Sequence, residues 1–123
     1  MKKKGLLIVI SGPSGAGKGT ICREWLSRHP ETVLSVSATT RSPRPLEKEG
    51  VNYFFKTKEE FEKMIEENEF LEYAKVYDNY YGTPRKFVQQ QLMAGNDVIL
   101  EIDIQGALQV KERFDEGVFI FIV

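Results

Sequence analysis

The residues whose types and spacing most clearly imply chemistry are Gly12 to Thr20, read GPSGAGKGT. They fit G-x-x-x-x-G-K, with the apolar run Leu6 to Ile10 before them and helix-forming residues after them. Gly15 and Gly17 allow consecutive backbone N–H groups to converge on one centre, which suits phosphate oxygens. The helix beyond adds the positive end of its dipole, and Lys18 adds a movable cation for a phosphate in transfer. A glycine-rich turn with no ligand is the competing reading; strand, spacing and lysine together weigh against it. The departure is Gly19, where a Ser or Thr hydroxyl would hold magnesium; the next hydroxyl, Thr20, is one residue displaced.

Further along, SVSATTRSPRP places Arg41 and Arg44 three apart in a loop. A guanidinium fork can grip a phosphate through two bonds. Two solvated loop charges is the competing reading, which loses weight because tyrosine-bearing stretches, GVNYFF and DNYYGTP, supply neutral hydroxyl donors. Between these stretches FLEYA carries Glu72, whose carboxylate accepts two parallel hydrogen bonds, the pair that the Watson–Crick edge of guanine donates and that of adenine does not; for Glu72 taken alone, an exposed strand residue is the competing and stronger reading. In VILEIDIQG, Glu101 and Asp103 are two apart on a strand and share a face. Carboxylates in an apolar run are costly without partners, so they belong at the carboxyl end of the strand, where open α/β sheets bind ligands. A helix N-cap is the alternative for Asp103.

The elements that position these residues follow from periodicity and punctuation. Leu6 to Ile10, "DVILEIDI" and Val118 to Val123 read as buried strands, and Val33 to Ser37 and "VNYFF" as shorter ones. Helices are expected over Lys18 to Arg28, from Thr57 with Glu60 completing a capping box, from the pair Thr83 and Pro84 to about Gly95, and over Gly106 to Phe114. "EFLEYAKVYDNYYG" reads as one or two strands. Buried strands alternating with helices imply a parallel α/β sheet. The middle breaks that rhythm and reads as an inserted α+β subdomain over 35–81, the core being 1–34 with 82–123.

The 123 residues suffice for a small domain with a moderate core, and the net charge of -1 gives no basic field directed at nucleic acid. One cysteine, Cys22, excludes an internal disulfide and points to a reducing compartment, hence a cytoplasmic protein. No apolar run is long enough for a membrane span. Cys22 and Trp25 read as packing residues, and His29 as a helix-end or exposed residue. The chain stops inside GVFIFIV, within what reads as a buried strand, so a truncated chain is expected.

In order and spacing, GPSGAGKGT, SVSATTRSPR, GVNYFF, FLEYA, NYYGTP and LEIDIQG resemble the guanylate kinase family over essentially the whole chain. The GKGT variant is similar to that of nucleoside monophosphate kinases, where ATP oxygens and water can hold magnesium. The resemblance implies an α/β P-loop fold, with helices on both faces of a parallel sheet and an inserted subdomain for the nucleoside monophosphate. It implies ATP-dependent phosphorylation of GMP to GDP with Mg2+, in purine nucleotide metabolism, by a monomer or homodimer. Carried over by position, Gly12, Pro13, Ser14, Gly15, Ala16, Gly17, Lys18, Gly19 and Thr20 would hold ATP. Arg41, Arg44, Tyr53 and Tyr81 would hold the GMP phosphate, and Ser37, Glu72 and Thr83 would read guanine. Glu101 and Asp103 would organise the GMP side and magnesium waters, with Thr20 the candidate direct ligand. Lys18, Arg41 and Asp103 are the expected catalytic residues. The family's chain continues beyond Val123 into a lid with several arginines, so little activity is expected from residues 1–123 alone. The rivals are a kinase for AMP or a pyrimidine nucleotide, and a non-enzymatic guanylate-kinase-like binding module, whose phosphate loop is typically degraded. A GTPase would carry N-K-x-D, which this chain lacks.

Overall fold

A computed structural model describes residues 4–13, 17–114 and 116–122. Among these the elements run β1 (Leu7–Ser11), α1 (Lys18–Arg28), β2 (Val33–Leu34), β3 (Ala38–Thr39), β4 (Phe54–Phe55), α2 (Lys58–Glu66), β5 (Phe70–Val76), β6 (Asn79–Pro84), α3 (Arg85–Met93), β7 (Val98–Ile102), α4 (Ile104–Arg113) and β8 (Val118–Phe121). They form two compact units, Met1–Ser35 with Phe87–Val123, and Val36–Lys86.

In the first unit the strand order is β2-β7-β1-β8, and every pairing is parallel. β1 is buried at all five positions because LIVI presents apolar side chains to both faces of a covered sheet. The crossover from β1 through α1 to β2 runs one way along the sheet, and that from β7 through α4 to β8 runs the other. Right-handed crossovers therefore place α1 and α4 on opposite faces. On the α1 face, Ile8, Ile10 and Ile99 pack with Cys22, and Trp25, Leu26 and Ile122 close over them. Each such buried aliphatic side chain contributes roughly 1.5–3 kcal/mol over its exposed state.

The second unit is a sheet of order β4-β3-β6-β5 with α2. Thr57 caps α2: its Oγ1 accepts from the Glu60 N–H at 3.0 Å, and Glu60 accepts from the Thr57 N–H at 2.8 Å. These bonds hold the Glu60 carboxyl below its usual range. Phe61, fully buried on α2, stacks on Phe70 and Tyr80 with centroids 4.4 and 4.9 Å apart. With Ala38 and Tyr73 they make the core on one face of this sheet.

The α/β architecture, α1 and the α2 capping box stand as expected, and several boundaries move. The strand expected over Val33 to Ser37 keeps only Val33–Leu34, β2, which pairs with β7 in the first unit, and beyond its expected end Ala38–Thr39 pair with β4 and β6 in the second. "VNYFF" keeps only Phe54–Phe55 as strand. Thr83 and Pro84 do not open α3; they end β6, buried, where Thr83 pairs with Glu72 and Pro84 with Phe70. For that reason β6 and its continuation to Lys86 fall in the second unit, five residues past the expected junction.

Candidate functional site

The carboxyl ends of β1 and β7 lie side by side, Ser11 beside Ile102, where the crossovers turn away in opposite directions along the sheet. Such switch points form ligand crevices in open α/β sheets. The loop after β1 leads into α1 through Gly17, whose φ of 95° is the left-handed backbone that glycine adopts without cost. α1 has no side-chain cap and no acidic residue in its first turn. α2 and α4, by contrast, are capped by Thr57 and Asp103. Among the described residues no side chain caps the first N–H groups of α1, an arrangement that suits an anion cradle. Ser14, Gly15 and Ala16 lie outside the described residues. Gly12 is buried, Pro13 exposed, and Lys18 half-buried in the first turn.

Glu101 pairs in register with Ile10, so its side chain points to the α1 face. Its Oε1 lies 3.5 Å from where a Cβ on Gly19 would stand, as does Arg23 Nη1. Gly19 thus brings the first turn of α1 against a carboxylate where many phosphate loops place a hydroxyl. The Cys22 thiol lies beneath: burial first, then the Glu101 carboxylate, push it up to about 11, so it packs as a neutral thiol. Thr20 is exposed and accepts from Arg23 Nη2 at 3.4 Å. Asp103 Oδ1 accepts the Gly106 N–H at 2.7 Å and is the N-cap of α4. The alternative that the sequence left open for Asp103 is therefore its local role. Among the described residues no group of three or more His, Cys, Asp or Glu side chains could hold a metal ion.

In the second unit, the sheet face opposite α2 gathers most of the remaining candidates. Registers place Thr39 beside Tyr81 and Glu72 beside Thr83. Tyr81 and Thr83, two apart on β6, share that face. Glu72 is 9% exposed, Thr83 fully buried, and the Thr83 hydroxyl donates to Glu72 Oε1 at 3.4 Å. Gly82 between them permits close approach: a Cβ there would lie 2.9 Å from the Glu72 carbonyl oxygen and from Phe70 Cδ1.

Arg41 leaves β3 under tight control. Its N–H donates to Thr39 Oγ1 at 3.1 Å, and Thr39 Oγ1 donates to the Tyr80 carbonyl at 2.9 Å. Its guanidinium lies 5.1 Å from the centre of the Tyr53 ring, and Tyr53 and Tyr81 meet edge-on at 6.2 Å. Glu47 grips it, accepting from Nη1 at 3.0 Å and from Nη2 at 2.9 Å. This pair, then the Tyr53 and Tyr81 side chains, raise the Arg41 pKa. The Glu47 carboxyl is held down to about 2 by Arg41 and by the Arg44 N–H. Arg44 projects an exposed side chain from the same loop, and Ser37, half-buried, accepts the Phe54 N–H on its carbonyl. Sequence reasoning missed Thr39, Gly82 and Glu47. Only Glu47 carries a legible signal, an acid three and six residues after the two arginines.

A sheet switch point, a left-handed glycine and an uncapped helix define an α/β protein of the phosphate-loop class. Residues 4–123 match the family model for guanylate kinase, and the chain belongs to the guanylate kinase family. It is 68% identical over its full length to a guanylate kinase of Caldanaerobacter subterraneus subsp. tengcongensis and 63% identical over 97% of its length to one of Desulfitobacterium hafniense. It spans 60% of the length of each of these curated relatives. A crystal structure of guanylate kinase from Anaplasma phagocytophilum superposes with a TM-score of 0.74 at 37% identity, covering 98% of this chain and 61% of that one. Among the described residues no helix is long and apolar enough to cross a membrane.

Proposed function

We propose that the protein to which this chain belongs phosphorylates GMP from ATP with Mg2+, in the cytoplasm. ATP phosphates are taken by the cradle from Gly12 to Thr20, with Lys18 on the transferred group. The GMP phosphate is taken by Arg41, Arg44, Tyr53 and Tyr81, and guanine by Ser37, Glu72 and Thr83. Glu101 and Asp103 would hold magnesium through water, and the ion would supply neutralisation of phosphate charge. No general base has to dominate, because the transfer depends on alignment and charge neutralisation.

The observation that carries this reading is the buried Glu72 beside Thr83, on the sheet face that also carries Tyr81. An almost buried carboxylate needs donors, and its two oxygens match the paired N–H donors of guanine. A kinase selective for AMP would find no use for that acceptor pair. The intact lysine of the cradle argues against a non-enzymatic module. Calorimetric titration of the chain with GMP and AMP tests the reading: GMP binds the more tightly, and Glu72→Gln removes the preference. Equal affinities for the two nucleotides would sink it.

A further inference from the structure

We infer that Glu47 is a positioning residue that assembles the phosphate clamp, fixing which edge of the Arg41 fork faces an incoming phosphate; this rests on the GMP reading above. Glu47 does three things at once. Its two carboxylate oxygens take the Nη1–Nη2 edge of Arg41. Oε1 also accepts the Arg44 N–H at 2.8 Å, while the Glu47 N–H donates to the Arg44 carbonyl at 3.0 Å. That reciprocal pair closes the turn carrying the second arginine, and the Arg41 Nη1 bond to the Ser42 carbonyl at 3.1 Å ties the turn back to the first.

The geometry is selective. A guanidinium has two edges suited to bidentate bonding, Nη1–Nη2 and Nε–Nη2. With the first on Glu47, the second is the remaining bidentate edge for two phosphate oxygens, in company with the Tyr53 and Tyr81 side chains, which also bond the guanidinium. Glu47 and Arg41 side chains are both only 16% exposed, so this pair is shielded from the water that dissolves most surface ion pairs. A carboxylate beside a phosphate site costs Coulomb repulsion; the gain is a long side chain already ordered, whose entropy need not be lost on binding.

The test uses the whole chain, Glu47→Gln and Glu47→Asp, with GMP and guanosine as probes and side-chain 15N NMR of arginine. In the unliganded protein, Arg41 gives resolved Nη signals because its pairing slows rotation about Nε–Cζ, and Glu47→Gln averages them. GMP affinity then falls about tenfold, as for loss of one charge-assisted bond, while guanosine affinity is unchanged, which general damage to the fold would not leave intact. Glu47→Asp, which keeps the charge but not the reach, behaves like Glu47→Gln. Averaged Arg41 signals in the wild type, or tighter GMP binding by Glu47→Gln, would overturn the inference; the latter would make Glu47 a competing anion. If GMP fails to bind the wild type, the substrate reading falls and the Arg41 signals alone decide the role of Glu47.

Discussion

Two regions offer positive charge to an anion, and they hold themselves ready in opposite ways. The start of α1 uses backbone donors and Lys18, with no side-chain cap and a glycine N-cap. The Arg41 region uses a side-chain fork that is already paired with Glu47 at 2.9 Å. The contrast follows from chemistry. Helix N–H groups are fixed by the fold and carry only partial charge, so water can serve them until a ligand arrives. A full charge on a long side chain that is 16% exposed needs a partner to stay ordered and to offset its desolvation. A cradle can stand open; a fork is best held from behind.

Lys18→Ala breaks the open side of that contrast and carries the largest expected effect on ATP binding. ATP affinity falls by about 2–3 kcal/mol, the worth of a charge-assisted contact, with no change in melting temperature; isothermal titration with Mg·ATP checks it. Gly82→Ala strikes the other region from below. Its Cβ would press the Glu72 carbonyl at 2.9 Å, so the second unit loses about 1–3 kcal/mol. Hydrogen exchange shows the loss in β5 and β6 and leaves β1 and β7 protected. Asp103 sharpens the comparison of helix starts. Asp103→Ala costs α4 about 1 kcal/mol of cap while Asp103→Asn keeps the cap; thermal melts separate them, and a loss of magnesium-dependent ATP binding in Asp103→Asn, whose cap is intact, would reveal its ligand role.

The smallest expected effect is the pH dependence of the Arg41–Glu47 pair. Glu47 is depressed to about 2 when folded, against about 4.3 for an ordinary glutamate. Its contribution to stability is therefore complete above about pH 4.3 and lost as pH falls toward 2. Acid titration followed by circular dichroism shows a shallower loss for Glu47→Gln across that window.

The fold was legible where the signal was local and repeated. β1 and β7 announce themselves as buried apolar runs, and α2 by Thr57 and Glu60. β4 was legible within the longer run VNYFF, but β3, two residues long, was not, because its pairings join positions far apart in sequence and no periodicity fits in two residues. Thr83 looked like a cap because Thr-Pro is a good helix start, and only the pairing with Glu72 across a bulge in β5 shows it to be strand. In the candidate site, residue types were readable but their partners were not. Arg41 invites a phosphate reading from its chemistry, whereas its capture by Glu47 depends on a turn that only the folded loop displays.

The central claim is that the second unit is built around a nucleotide phosphate, and Arg41→Ala tests it most directly. Calorimetric titration with GMP of the chain and of this variant should show affinity reduced about a hundredfold, roughly 3 kcal/mol for a bidentate charged contact, with the fold preserved by circular dichroism. Unchanged GMP affinity in Arg41→Ala would contradict the account.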